Sequence, residues 1–218
     1  RDIPDILERH VRGSRALDFG CGAGRSTRFL KELGFEAIGV DVSEPMVERA
    51  RERDPAGEYL VVTEGDLDPL GARRFDLVFC AFVFDNIPHH EKRTRIFTGL
   101  RRRLAEGGRI VVVGSAPEIY AHEWASFSTR AFPENRDARS GDPVRIVMLD
   151  VPDRRPVEDV FWTDADYRRA FAAAGLELLE TPRPLGREDD PREWVTETEV
   201  SPWVIYAVGA LTARRRPR

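Results

Sequence analysis

Three glycines at alternate positions are the first feature of the sequence that could bind a ligand. Gly20, Gly22 and Gly24 directly follow an apolar run, and a helical pattern begins directly after them. Glycine lets the backbone turn tightly and lets a ligand approach the main chain, because no Cβ is in the way. The N-terminus of the following helix offers unpaired N–H groups to a negatively charged group. Such a loop can also be a plain tight turn, so a second feature is needed.

Asp41 supplies that second feature, 17 residues after Gly24 and at the end of the next apolar run. A carboxylate at this place can accept hydrogen bonds from both ribose hydroxyls of a nucleoside lying across the strand ends. A dinucleotide and a nucleoside such as S-adenosylmethionine (SAM) are then the alternatives. Dinucleotide sites space their glycines as G-x-G-x-x-G, whereas this loop reads G-x-G-x-G and continues with Arg25 and Ser26. The spacing therefore argues against a dinucleotide.

The elements that would position these residues alternate between strands and helices. Apolar runs predict strands over 16–19, 37–40, 59–62, 75–82 and 109–114. Helical patterns separate them, over 25–33, after the capping residue Ser43, and over 89–104. Strands and helices of these lengths predict an α/β fold with a parallel sheet and right-handed crossovers.

The last third of the chain predicts a different arrangement. Thr163 and Asp166 have the spacing of a capping box and predict the start of a helix. Two final strands are expected over 176–181 and 203–208, joined by a charged loop. Residues 117–160 are too many for an ordinary connection, so we expect an insertion there that contains a hairpin.

Composition excludes several classes of protein. A length of 218 residues suits one domain, and 34 basic against 38 acidic residues give a net charge of −4, which argues against a nucleic-acid binder. No apolar stretch approaches the roughly 18 residues that span a membrane. Two cysteines exclude a disulfide scaffold and favour the cytoplasm. Only Lys31 and Lys92 among the basic residues are lysine, which indicates a GC-rich bacterial genome.

Several short motifs together resemble the class I SAM-dependent methyltransferases. The run ALDFGCGAG at 16–24 is similar to that family's motif I, and the later motifs, with Met46 and Pro88 among them, follow in the family's order: GVDVS at 39–43, GDL at 65–67, FDLV at 75–78 and LAEGGR at 104–109. The resemblance covers about residues 14–114. It implies a doubly wound, Rossmann-like sheet of seven strands, mostly parallel with an antiparallel last strand. It also implies that the insertion at 117–160 covers the acceptor site as a lid.

The same resemblance implies SAM as the cofactor, with S-adenosylhomocysteine as its product. The residues expected to hold it are Asp18, Gly20, Cys21, Gly22, Asp41, Val42, Met46, Asp66, Leu67, Ala81 and Phe82. Asp41 should bind the ribose hydroxyls and Asp66 the adenine amino group. Val42 and Met46 should cover one adenine face, although they and Leu67 could equally belong to the core.

Methyl transfer from SAM depends mainly on aligning the acceptor, and a general base is optional. Asp85 and Asn86 follow the fourth strand, where many members of the family carry a pair of histidines. We expect Asp85 or His122 to act as the base, and Asn86, Tyr120 and Trp124 to contact the acceptor. No set of ligands with usable spacing predicts a metal site.

The sequence thus predicts one domain over 1–218 that methylates an oxygen or nitrogen of a small molecule. A bacterial source suggests natural-product biosynthesis, and we expect a cytoplasmic monomer or homodimer without nucleic-acid or membrane partners. One alternative is a nicotinamide-dependent oxidoreductase, which the missing Tyr-x-x-x-Lys pair disfavours. The other is a SAM-binding module without activity.

Overall fold

The computed structural model describes residues 2–63 and 66–211 and contains two β-sheets and five α-helices within them. The strands are β1 Arg15–Phe19, β2 Glu36–Asp41, β3 Glu58–Val61, β4 Phe75–Ala81, β5 Leu104–Ser115, β6 Phe127–Ser128, β7 Pro143–Met148, β8 Pro156–Val160, β9 Leu176–Glu180 and β10 Trp203–Ala210. The helices are α1 Asp2–His10, α2 Arg25–Glu32, α3 Glu44–Arg53, α4 His90–Arg102 and α5 Asp164–Ala173.

The main sheet has seven strands in the order β3-β2-β1-β4-β5-β10-β9. The first five are parallel, whereas β10 runs antiparallel to both of its neighbours. The expected seven-stranded, mostly parallel sheet is therefore confirmed. The strand order reverses between β1 and β4, which creates a crevice at the carboxyl ends of the strands, where sheets of this kind bind ligands.

Helices cover both faces of this sheet, because the strands carry apolar side chains on both faces. In β4, Leu77 and Phe79 pack on the side of α1 and α2, whereas Val78 and Cys80 pack on the side of α4 and α5. A strand buried on both faces is apolar throughout, because alternate side chains enter two different cores.

Helix α1 was not among the expected elements, although its sequence carries a signal. Ile3, Ile6 and Leu7 have helical spacing, and the last two are buried against the sheet. The capping box at Thr163 and Asp166 is confirmed, because each side chain accepts a hydrogen bond from the backbone N–H of the other residue. Such a box satisfies two N–H groups that the first turn would leave unpaired.

The insertion after β5 forms a second sheet in the order β6-β7-β8. The expected hairpin is β7 and β8, which pair from Pro143 with Val160 to Val147 with Pro156. The insertion has its own apolar cluster, made of Ile119, Tyr120, Trp124, Phe127, Val144 and Ile146. This small sheet is therefore a packed unit beside the main sheet.

Two further findings concern the predictions. None of the helices among residues 2–63 and 66–211 has the length and apolar character that crossing a bilayer requires. Gly65, which belongs to one of the motifs that carry the resemblance, lies outside the described residues.

Candidate functional site

A cavity of about 470 Å³ lies at the carboxyl ends of β1, β2 and β4. Its walls include Gly20, Asp41, Val42, Ala81 and Phe82, all of which were predicted to hold a cofactor. The crevice of the strand order therefore contains five of the eleven residues that were predicted to hold the cofactor.

The glycine loop adopts the conformation that its residues make possible. Gly20, Gly22 and Gly24 have φ angles of 75°, 51° and 77°, in the left-handed region that favours glycine. The N–H groups of Gly20 and Cys21 both donate to the carbonyl of Val40, at 2.8 and 3.0 Å, which fixes the loop to β2. A Cβ on Gly22 would meet no atom within 4 Å, so this part of the backbone is open to a ligand.

Asp41 stabilises this loop from the end of β2. One carboxylate oxygen accepts from the N–H of Gly22 at 2.8 Å, and the other accepts from the N–H of Ser43 at 2.9 Å. Ser43 precedes α3 as expected, but its side chain makes no capping bond. A carboxylate has about four lone-pair positions, so both oxygens of Asp41 can accept further hydrogen bonds.

Asp18 is fully buried at the end of β1 and carries one unpaired oxygen. Its Oδ2 accepts from the hydroxyls of Ser26 and Thr27, both at 2.6 Å, whereas Oδ1 has no partner. Burial raises the pKa of this carboxyl to about 6, against the hydrogen bonds that lower it. A buried carboxylate oxygen without a donor is costly, and a ligand ammonium group would supply the missing donor.

Three of the predicted apolar residues are exposed, although large apolar side chains are usually buried. The exposed fractions are 61% for Val42, 39% for Met46 and 41% for Phe82. The alternative that Val42 and Met46 belong to the core is therefore wrong. By contrast, the side chains of Leu67 and Cys21 are 5% exposed and belong to apolar clusters, so only their backbone could contact a ligand.

Asp66 is exposed and lies just after the residues that the structure does not describe. Its carboxylate accepts from the N–H of Asp68 at 2.9 Å and so shapes its own turn. The expected contact of Asp66 with an adenine amino group stays a prediction.

Phe82 is the only residue other than glycine with positive φ in the described part of the chain, at 58°. Such a conformation costs an L-residue roughly 1–3 kcal/mol and is concentrated at functional sites. Its ring contacts Trp203 edge-on, with centroids 5.0 Å apart. Phe82 also lines a second cavity of about 490 Å³, so this residue belongs to the walls of two cavities. Beside it, Asn86 is exposed, lines the first cavity and donates from Nδ2 to the Phe82 carbonyl at 3.2 Å.

Asp85 is buried beneath this segment. One oxygen accepts from the N–H and hydroxyl of Ser115, at 3.1 and 2.9 Å, and the other accepts from the Tyr167 hydroxyl at 3.4 Å. Burial raises its pKa, while the bonds from Ser115 and the charge of Arg93 lower it. This geometry argues against the expected role of Asp85 as the base, because both carboxylate oxygens accept hydrogen bonds from Ser115 and Tyr167 in the interior.

Arg93 completes this buried network in an unusual way. Its guanidinium has no hydrogen-bond partner and lies 4.4 Å from the Trp162 ring and 4.1 Å from the Tyr167 ring. Burial lowers its pKa, and nearby Tyr167 and Asp85 oppose that shift. Cation–π contacts replace hydrogen bonds here.

The structure does not bring His122, Tyr120 and Trp124 to the candidate cofactor cavity. His122 is exposed and lines a separate depression of about 360 Å³ together with Tyr120. No residue of this depression lines either of the other two cavities. Trp124 is buried and donates from Nε1 to the Ile119 carbonyl at 2.8 Å. Both buried aromatics serve the core of the insertion, which is the physical reason for the disagreement.

Sequence reasoning missed the surroundings of the second cavity. They include α1 and the segment between β9 and β10, which the sequence showed only as a charged loop. Trp194 within the charged loop and Trp203 at the start of the last strand were the available signal, because large aromatic residues rarely lack a packing or binding role. Among the described residues, no group of three or more histidine, cysteine or acidic side chains could hold a metal ion.

Comparison with known proteins gives a consistent family of relatives. Residues 17–112 match a sequence family described as a methyltransferase domain. N-demethylindolmycin N-methyltransferase of Streptomyces griseus is 30% identical over 163 residues, which are 73% of this chain and 68% of that protein. A dTDP-3-amino-3,6-dideoxy-alpha-D-glucopyranose N,N-dimethyltransferase of Streptomyces fradiae is 27% identical, over 85% of this chain and 80% of that protein.

The fold has solved counterparts as well. The crystal structure of DesVI from Streptomyces venezuelae superposes with a TM-score of 0.68 at 24% identity, over 96% of this chain and 89% of that one. Several other curated methyltransferases match over only about half of their own length or less.

Proposed function

This chain belongs to the class I SAM-dependent methyltransferases, and on that basis we propose that it binds SAM at the ends of β1, β2 and β4 and methylates a small molecule. The observation that carries the proposal is the pair of carboxylates on either side of the glycine loop. Asp18 offers a buried oxygen that lacks a donor, and Asp41 offers an accessible carboxylate at the end of β2. The exposed side chains of Val42 and Met46 add apolar surface beside Asp41.

These residues suit the chemical parts of SAM. Asp18 would accept from its amino group, and Asp41 would accept from its ribose hydroxyls. The open backbone at Gly22 leaves room for the ligand, while Val42 and Met46 would cover the adenine and exclude water from it. Ala81 and Phe82, at the end of β4, would then lie near the reacting group.

When bound, SAM would supply a methyl group on a sulfonium. The acceptor's lone pair would bond to the methyl carbon as the carbon–sulfur bond breaks, which would leave S-adenosylhomocysteine and release the acceptor's proton to solvent. The protein's task is alignment, which can contribute roughly 7–11 kcal/mol. The strained backbone of Phe82 serves that task, because it fixes the ring at the boundary between the two cavities.

We further propose nitrogen as the acceptor atom and natural-product biosynthesis as the setting. Two relatives from Streptomyces are named as N-methyltransferases, one acting on N-demethylindolmycin and one on an amino sugar nucleotide. A neutral amine is nucleophilic without a strong base, so this assignment requires no histidine at the site.

The test is calorimetric titration with SAM, S-adenosylhomocysteine and NAD. We expect the wild-type protein to bind the two adenosyl ligands and not NAD. Asp41→Ala should weaken their binding by roughly ten-fold or more, because hydrogen bonds to a charged group contribute about 1.5–3 kcal/mol. Glu44→Ala is the control, since Glu44 is an exposed carboxylate three residues away and should leave affinity unchanged.

Two outcomes would contradict the proposal. Binding of NAD alone would support an oxidoreductase. Equal affinity of Asp41→Ala and the wild type would remove the ribose role of Asp41. A panel of amine acceptors, assayed by release of S-adenosylhomocysteine, then separates an enzyme from a binding module.

A further inference from the structure

The second cavity shares Phe82 with the candidate cofactor cavity. It has a volume of about 490 Å³, and its walls come from α1, β6, the ends of β5 and β10, and the segment between β9 and β10. Cavities of 300–1,000 Å³ are the usual size for small-molecule sites. Phe82 lines both cavities, so a ligand in the second cavity and a cofactor in the first could both contact this residue.

Four aromatic rings line this cavity. Phe82, Trp203 and Phe127 form a continuous row, with centroids 5.0 Å apart for the first pair and 5.4 Å for the second. Trp194 adds a fourth ring from the segment between β9 and β10.

The charged residues of the lining are already engaged within the protein. Glu197 accepts from the backbone N–H groups of residues 125, 195 and 196. Asp190 accepts from Trp194 Nε1 at 3.1 Å, and Arg192 donates to the Ser126 hydroxyl. Of the charged residues on the walls, Asp2 alone remains, and it is the first residue of α1. Glu197, Asp190 and Arg192 thus already make hydrogen bonds within the protein, whereas the four rings offer an apolar surface that suits an uncharged group.

We propose that this cavity is the acceptor site and that it takes the uncharged aromatic ring of a small molecule. The inference rests on the proposed function, since Phe82 can direct an acceptor toward SAM only if SAM occupies the first cavity. Ring pairs of this kind contribute about 0.5–1.5 kcal/mol beyond the burial of apolar area. The insertion contributes only Ser126 and Phe127 to the site, and its depression at His122 is not the acceptor pocket.

Fluorine NMR titration of the protein saturated with S-adenosylhomocysteine tests this proposal. The probes are 4-fluorotoluene and 1-fluoro-4-methylcyclohexane, which have similar size but differ in aromatic character. We expect 4-fluorotoluene to bind about three- to ten-fold more tightly than the saturated ring, as the contribution of ring pairs implies.

Three single-residue variants test whether the probe binds in the second cavity. Trp203→Leu should weaken the binding of 4-fluorotoluene by about five-fold or more, because β10 then presents no aromatic ring to this cavity. Trp194→Leu, on a connecting segment outside the sheet, should weaken it as well and covers the case in which Trp203→Leu fails to fold. His122→Leu is the control and should leave probe binding unchanged. All three should keep the wild-type affinity for S-adenosylhomocysteine.

The proposal is overturned if both tryptophan variants bind the probe like the wild type, if His122→Leu alone loses it, or if the two probes bind equally. Each titration is repeated without S-adenosylhomocysteine. If the wild-type protein binds the aromatic probe but not S-adenosylhomocysteine, the proposed function is wrong and the proposed aromatic site is still supported. If it binds S-adenosylhomocysteine but not the probe, only the proposal for the second cavity is wrong.

Discussion

At the scale of single residues, the carboxyl of Asp18 links the stability of the fold to pH. Its pKa of about 6 lies above the ordinary 3.8, because burial disfavours the charged form. Between about pH 4 and pH 6 the folded protein therefore holds a proton that the unfolded chain has lost. The free energy of unfolding falls as pH rises through this window, and above it the cost of a buried charge is fully present.

The variant Asp18→Asn separates the cost of the buried charge from its proposed role in ligand binding. An amide oxygen can still accept from Ser26 and Thr27, but no charge is buried. We expect the free energy of unfolding to rise by roughly 1–3 kcal/mol at pH 8 and to change little at pH 4, as measured by urea unfolding. Affinity for S-adenosylhomocysteine should fall about ten-fold at pH 8. A variant less stable than the wild type at pH 8 would contradict the cost assigned to this buried charge.

Phe82 stores strain that a pair of substitutions can measure. Alanine normally stabilises a chain relative to glycine, but at φ 58° the order should reverse. We expect Phe82→Gly to unfold at a higher free energy than Phe82→Ala, by about 1 kcal/mol. Both variants lack the ring, so methyl transfer should slow equally in the two. If Phe82→Ala proves the more stable variant, the backbone here is not strained.

At the scale of elements, polar contacts at both ends position the segment between β9 and β10. Arg183 donates to Glu118 at 2.9 Å and to Asp164 at 2.7 Å, which ties the segment to the turn after β5 and to the start of α5. Glu197 organises the other end through its backbone hydrogen bonds. A wall of the second cavity is thus positioned by a few polar contacts.

Arg183→Ala should loosen this wall while leaving the cofactor site intact. We expect faster cleavage within 184–202 in limited proteolysis and weaker binding of 4-fluorotoluene, with unchanged affinity for S-adenosylhomocysteine. Arg187→Ala is the matched control from the same segment and should behave like the wild type. Equal proteolysis of the two variants would show that the bonds of Arg183 do not fix the segment.

At the scale of the whole molecule, the predictions succeeded where the determining contacts are local in sequence. The glycine loop and Asp41 lie within about twenty residues of each other, and a strand, a turn and a helix are enough to join them. The role of Asp85 could not be predicted in this way. Its partners Ser115 and Tyr167 lie 30 and 82 residues further along the chain, and no pattern of spacing reveals such contacts.

The acceptor side shows the same limit. His122 has the right residue type for a base, but the insertion packs around its own cluster and leaves this side chain on another surface. The rings of the second cavity come from three separate stretches, at 82, 127 and 194–203. Only the folded sheet brings them together, because β10 returns to pair with β5.

That return of β10 also sets the order in which the molecule can assemble. Trp203 pairs with Ser115, 88 residues earlier in the chain, whereas β1, β2 and β3 join over much shorter loops. Closing a long loop costs more conformational entropy, and such pairings form late in folding. The half of the sheet that carries the glycine loop can therefore form first, and the wall with Trp203 is added at the end. The glycine loop and Asp41 can thus be in place before the chain has closed around the second cavity.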